Sequence, residues 1–214
     1  MTRTTLGALA LLLTAAPMLH AQIIQPGIRN RPAAWTALSV GWFQQGSICG
    51  ATPSTCWNFG GAPQFRASFE IPAGTGASFG LAGTTARAPL IYASSLGNCS
   101  QCDADANVSQ VLGTLRIGGG NIGFHQVIEI AAGTTLYTNF RSTDGTRLGD
   151  GKAVSDLTFG LGYGFGFSLS PRTQVVLMVQ EWALVLHDRQ PGSSENTTTQ
   201  QTIRIGGRFA LGER

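Results

Sequence analysis

A chain of 214 residues carries charge on only 12% of its positions, with a formal net charge of +3, where a soluble globular domain carries charge on roughly a quarter. Lys152 is the only lysine, so much of the surface does not face water. The positive excess is small, scattered and without a basic run, which excludes nucleic acid as a partner.

Residues 1–21 read as a secretory signal peptide, with Arg3, an apolar run from Leu6 to Ala16, Pro17 and a cleavage point after Ala21. Residues 22–32, with two prolines and a glycine, read as a periplasmic lead-in. Beyond them no stretch of about 18 uninterrupted apolar residues occurs, so a chain that crosses a membrane does so as a closed β-barrel, the other structure that pairs every backbone group internally.

The barrel domain is expected over residues 33–214, as eight strands. The first covers about Ala33 to Gln45, with Leu38, Val40 and Trp42 alternating against Ala37, Ser39 and Gly41. A long loop with Cys49 and Cys56 leads to the second, about Ala62 to Ile71, where Phe65, Ala67 and Phe69 alternate with Arg66, Ser68 and Glu70. The third runs from about Ala77 to Ala93, and Pro89 predicts a bulge or register change within it. A second long loop holds Cys99 and Cys102. The fourth strand, about Val108 to Ile117, sets Val111, Leu115 and Ile117 against Gln110, Thr114 and Arg116. The fifth, about Ile122 to Arg141, sets Phe124, Ile128 and Ile130 against His125 and Glu129.

After a polar loop, Leu157 to Leu169 gives the cleanest alternation in the chain. Large apolar residues fill every odd position, and Gly160, Gly162, Gly164 and Gly166 lie among the even ones. Four glycines on one face of a strand need a crowded interior, and arginines of other strands are expected in the space they leave. In the seventh strand, about Thr173 to His187, the apolar face passes from Val175, Leu177 and Val179 to Trp182, Leu184 and Leu186, which predicts a bulge at Gln180 and Glu181. A final strand sets Ile203, Ile205 and Phe209 against Arg204, Gly206 and Arg208.

Connections alternate long and short from the first strand to the last, as in outer-membrane barrels with short periplasmic turns, longer extracellular loops and periplasmic termini. The face opposite the apolar one carries Arg66, Glu70, Arg116, Glu129, Glu181, Arg204 and Arg208. These seven can pair among themselves inside a narrow barrel, whereas seven charges are too few for the outside of a soluble one. The apolar face therefore points to lipid, and a secreted lipocalin-like barrel with an apolar cup is the competing arrangement. Trp42, Tyr92, Tyr163, Phe165, Phe167 and Trp182 are expected to form interfacial girdles.

The signal peptide, the eight alternating strands, the loop order and the closing strand Thr-Ile-Arg-Ile-Gly-Gly-Arg-Phe-Ala-Leu (202–211) together resemble the small outer-membrane barrel family that includes the OmpA transmembrane domain and OmpX. Members commonly end on an aromatic residue, and this chain departs from that, with Leu211-Gly212-Glu213-Arg214. The resemblance implies an all-β, eight-stranded antiparallel up-and-down transmembrane barrel in a bacterial outer membrane, with lipid and lipopolysaccharide as its surroundings.

Chemistry-bearing groups are sparse. Cys49, Cys56, Cys99 and Cys102 fall in the first two long loops, and in an exported chain they form disulfides, either as two local bridges or between the loops. Cys99-Ser100-Gln101-Cys102 has the spacing of a redox dithiol or half a zinc site, without the βαβ pattern or nearby histidine that either needs. Asp103-Ala104-Asp105-Ala106-Asn107 imitates the start of a calcium loop, but Val108 stands where the glycine belongs and Thr114 where the closing glutamate belongs, so it reads as a solvated loop edge. His125, Glu129, His187 and Asp188 are the residues a lipopolysaccharide acyl-modifying enzyme could use, yet His125 and Glu129 are about 13 Å apart along a strand. No catalytic, cofactor or metal residue is assigned. The expected role is structural: a plugged barrel whose disulfide-braced loops, Ser47 to Gly60 and Leu96 to Asn107, meet an extracellular ligand or protein. A narrow small-solute porin is the first alternative and the acyl-modifying enzyme the second.

Overall fold

The computed structural model describes residues 32–49, 55–74, 76–94, 103–118, 123–142, 144–147, 153–186 and 197–212. The signal peptide, nearly all of the lead-in, Cys99, Cys102, His187 and Asp188 lie outside them. Among the described residues, ten strands form one antiparallel sheet: β1 (Ala34–Gln45), β2 (Ile48–Cys49), β3 (Thr55–Phe59), β4 (Ala62–Pro72), β5 (Ala77–Ser94), β6 (Asp103–Ile117), β7 (Gly123–Ser142), β8 (Val154–Ser170), β9 (Thr173–Leu186) and β10 (Thr197–Leu211). Eight of them, β1 and β4 to β10, make the barrel wall, which closes where β1 pairs with β10 from Ala34↔Leu211 to Gln45↔Gln200. Closure pairs every strand of the wall on both sides, so the barrel has no open edge.

The alternation in sequence is the alternation in burial. Leu38, Phe65, Leu81 and Phe124 on the outer face are 60–66% exposed, while Arg116 and Glu129 on the inner face are 3% exposed. A soluble sheet does the reverse, so the solvent outside this wall is apolar. The short turns gather at one end of the barrel. Gly74 (φ 83°) and Gly118 (φ 107°) take left-handed conformations there, and the Gly118 amide donates to the Gly76 carbonyl oxygen at 2.8 Å. The long connections gather at the other end.

The bulge in β9 lies where the apolar hand-over places it. Val179 and Gln180 both face outward, and the register slips between Tyr163↔Gln180 and Gly164↔Met178 on one side and between Thr202↔Glu181 and Arg204↔Met178 on the other. Other features differ from the expectations. β5 runs through Pro89 without a register change against β6, where Pro89 opposes Asp105. The irregularity falls on the opposite strand, at Gly60 and Gly61 between β3 and β4, and the Gly60 amide donates to the Pro89 carbonyl oxygen at 2.8 Å. The first long loop contains the β2–β3 hairpin, with β3 pairing to β5 from Thr55↔Ser94 to Phe59↔Leu90. The calcium-like stretch is strand: residues 103–107 open β6, with Ala104 and Ala106 buried inward and Asp105 facing outward. Tyr163 stands mid-strand, opposite Ile128, and not at a strand end. Among the girdle aromatics, Trp42, Trp182 and Phe167 are exposed on the outer face, Phe165 is half-buried beside Tyr163, and the side chain of Tyr92 lies outside what is described.

Candidate functional site

A barrel of eight strands has a lumen that side chains can fill, and each wall strand from β4 to β10 sends charged or hydroxyl groups into this one. Glu129 on β7 lies between Arg116 of β6 and Gly162 of β8 in the register. Its carboxylate accepts hydrogen bonds from Arg66, from Arg116 Nη2 at 3.0 Å and from Arg204 Nη2 at 3.3 Å. Glu181, brought inward by the β9 bulge, takes Arg204 Nε at 2.6 Å and lies 3.7 Å from Arg66 Nη1. Glu70 accepts from Arg208 Nη2 at 2.7 Å and Ser78 Oγ at 2.7 Å, with Arg116 Nε 3.7 Å away. Arg208 also reaches Gln174 Oε1 at 3.1 Å and stands over the Trp35 ring at 4.2 Å. The seven charged residues singled out in the sequence thus form one connected network of four guanidinium groups and three carboxylates. The surplus guanidinium shows at Arg116, whose Nε and Nη1 are buried without a hydrogen-bond partner.

The glycine face of β8 accommodates neighbours other than those expected. A Cβ at Gly162 would come within 2.8 Å of Met178 Cε and 3.0 Å of Glu181 Cγ, one at Gly164 would collide with the Leu177 carbonyl oxygen, and one at Gly166 with the His125 ring. The glycines therefore admit Met178, Glu181 and His125 of the flanking strands, and the arginines only through Glu181. His125 is buried against Gly166, its Nδ1 3.3 Å from the Gly123 carbonyl oxygen.

Towards the long-loop end the lumen changes chemistry twice. A layer of amides comes first, with the buried Asp156 carboxylate at the same level of the register: Gln110 Nε2 donates to Gln200 Oε1 at 2.6 Å, Gln200 Nε2 to Gln45 Oε1 at 2.9 Å and Thr84 Oγ1 to Gln110 Oε1 at 3.1 Å. Between this layer and the charges is a cavity of about 40 Å³ whose lining includes Gln64, Arg66, Gln110, Glu129, Glu181 and Gln200, polar enough and large enough to hold water. Beyond the glutamines lies an apolar cluster of Phe43, Phe59, Ala86, Ala88, Ala106, Val108 and Tyr137, in which the Phe59 and Tyr137 rings stack at 5.3 Å. Sequence reasoning misses this cluster, because Phe59 falls in a stretch that reads as loop and Phe43, like Trp35, is a large aromatic residue on the otherwise polar face of β1. Cys49 and Cys56 are register partners in the β2–β3 hairpin; opposed antiparallel residues have Cα atoms about 4.5–5.5 Å apart, inside the range a disulfide spans.

No family model matches the sequence, and no curated protein matches it. Among solved structures, the Neisserial surface protein A (NspA) superposes with a TM-score of 0.58 at 8% identity, covering 84% of this chain and 97% of that one. OprG from Pseudomonas aeruginosa gives 0.45 at 15% identity over 86% of this chain and 98% of its own. Ail of Yersinia pestis, in complex with the heparin analogue sucrose octasulfate, gives 0.43 at 13% over 82% and 99%. The first likeness establishes the fold and the other two carry no weight here. The molecule is a transmembrane β-barrel: closed, apolar outside and polar within. Its particular architecture is that of the small eight-stranded barrels of bacterial outer membranes.

Proposed function

We propose that this protein is a closed outer-membrane barrel with a structural and interaction role, and that it presents its long loops to partners outside the cell. The observation that carries the reading is the lumen itself. A salt-bridge network from Arg66 to Arg208, a glutamine layer and the Phe43, Phe59 and Tyr137 cluster succeed one another along it, and an ion entering would have to separate buried charge pairs and then cross an apolar layer. The binding surface comprises the connection 46–61, which contains the β2–β3 hairpin, and the connection 95–102. A Cys49–Cys56 bridge braces the first, and a Cys99–Cys102 bridge the second. A rigid wall that carries loops is a binding scaffold. Neither alternative gains from the geometry: the pairing opposes a solute path, and His125 is engaged with the Gly123 carbonyl rather than with an acid or a nucleophile.

Planar-bilayer recording of the refolded mature chain tests the reading. No conductance above that of the heat-denatured control is expected. Reproducible steps that the denatured control lacks would establish the narrow porin instead.

A further inference from the structure

The outer face of the wall carries arginines in one region beyond the apolar band. Outward residues of β5 run Phe79, Leu81, Gly83, Thr85 and then Arg87. Arg87 stands ten residues along the strand from Ala77; at about 3.3 Å per residue and a tilt of roughly 40°, that is about 25 Å along the barrel axis, the height of the apolar band of such barrels. Arg87 thus emerges at the rim on the long-loop side, where the outer-leaflet headgroups lie. Across the register, Arg87 opposes Asn107, Asp105 lies two residues higher and opposes Arg141, and Arg141 bridges by its backbone to Arg147. All three arginines are exposed.

Among the described side chains, the acids nearby are Asp105, whose Oδ2 is 3.4 Å from Arg87 Nε, and Asp144, whose carboxylate accepts the Thr146 amide within its own turn at 2.8 Å. Arg87 Nη1 is 3.4 Å from Asn107 Oδ1, and Arg141 Nε donates to Asn139 Oδ1 at 2.9 Å. These exposed contacts are weak enough for an incoming anion to replace. Guanidinium forks suit phosphate oxygens in particular. Below the arginines the same wall offers Phe79, Leu81, Val111, Leu115 and Ile130 to acyl chains. Apolar surface beneath cations, both facing sideways from the barrel, fits an amphiphile that lies alongside it better than a soluble polyanion arriving at the loop tips.

We infer that Arg87, Arg141 and Arg147 form a site for the phosphate groups of lipopolysaccharide in the outer leaflet, with Asp105 as its internal competitor. The inference rests on the outer-membrane reading above.

The test uses the full mature chain in detergent micelles with a chelator present, so that divalent cations do not bridge. It measures binding of fluorescent lipopolysaccharide, dephosphorylated lipopolysaccharide, heparin and inorganic phosphate. At about fivefold per arginine near a charged membrane surface, Arg87→Gln/Arg141→Gln/Arg147→Gln is expected to weaken lipopolysaccharide binding at least tenfold. Dephosphorylated ligand should bind wild type and variant alike, and Asp105→Asn should tighten binding several-fold, an effect that a merely structural role does not produce. Heat-modifiable gel mobility verifies that each variant is folded. Equal binding by folded wild type and triple variant overturns the site. Competition by inorganic phosphate alone, or by heparin with no effect of dephosphorylation, overturns the lipid assignment in favour of a free anion or a soluble polysaccharide. A wild-type chain that stays soluble without detergent and shows no gel shift defeats the transmembrane reading itself, and is distinguishable from loss of the site.

Discussion

Glu129 meets three guanidinium groups, more than Glu70 or Glu181, so its removal has the largest expected effect. It accepts hydrogen bonds from arginines of β4, β6 and β10, and Glu129→Gln keeps the shape while it leaves four guanidinium groups facing two carboxylates. Breaking a buried ion pair from one side costs about 3–5 kcal/mol. The lower end applies here, because Arg66 and Arg204 retain Glu181 and the glutamine oxygen still accepts one hydrogen bond. At about 1.4 kcal/mol per factor of ten, a loss of about 3 kcal/mol lowers the folding constant by about two orders of magnitude. Urea titration of the barrel in lipid vesicles, followed by gel mobility and tryptophan fluorescence, measures this directly. The double variant Glu129→Gln/Arg116→Met should recover at least about 1 kcal/mol, since it also removes the guanidinium with two unbonded nitrogens. A single variant within about 0.5 kcal/mol of wild type, or a double variant no better than the single, would refute the argument that charge compensation holds the lumen together.

On β8 the two faces should respond unequally. Gly164→Leu drives a side chain into the Leu177 carbonyl oxygen and should abolish the heat-modifiable band, whereas Leu161→Ala on the lipid face should cost only about 1–2 kcal/mol. Alanine at Arg204 would open the lumen if charge pairing alone closed it. With Phe59 and Tyr137 stacked beyond the charges, Arg204→Ala should instead stay silent in planar bilayers, and conductance should require Arg204→Ala/Tyr137→Ala together. A Cys49–Cys56 bridge closes a loop of eight residues, worth about 2.5 kcal/mol on chain-entropy grounds. Reductant, and equally Cys56→Ser, should lower urea stability by about that much and change the migration of the denatured chain on a gel.

What could be read in the sequence follows from the intolerance of lipid. A charged residue on the lipid face at mid-membrane costs about 2–4 kcal/mol, so Arg66, Arg116, Glu129 and Arg204, each between apolar neighbours, have one side available. The bulge in β9 was legible for the same reason, because lipid demands that the apolar face resume at Trp182. Phe43 and Phe59 were not, because an aromatic residue near the end of a strand suits an interfacial girdle and a lumen equally, and Gly60-Gly61 interrupts the alternation that would have joined β3 to β4. The partners of Gly162, Gly164 and Gly166 were hidden too. A glycine shows that something is close, and only register shows that the something is Met178, Glu181 or His125.

Register also explains why two unlike interiors coexist in one lumen. Within the apolar band, β5, β6 and β7 point Leu81, Val111 and Ile130 outward and Ser78, Arg116 and Glu129 inward. A few residues higher the same strands point Arg87, Asn107 and Thr138 outward and Ala88, Val108 and Tyr137 inward. The inversion follows from the change of solvent. In lipid, backbone pairing and closure hold the wall, no hydrophobic effect acts across it, and the interior can be polar. Once the sheet emerges into water, its stability depends on burying apolar surface, and the inside of the curved sheet is where that surface can be hidden. The aromatic cluster is therefore the hydrophobic core of the projecting part of the barrel, and the charge network is the filling of the embedded part. The boundary between them lies close to the level of Arg87 at the membrane rim.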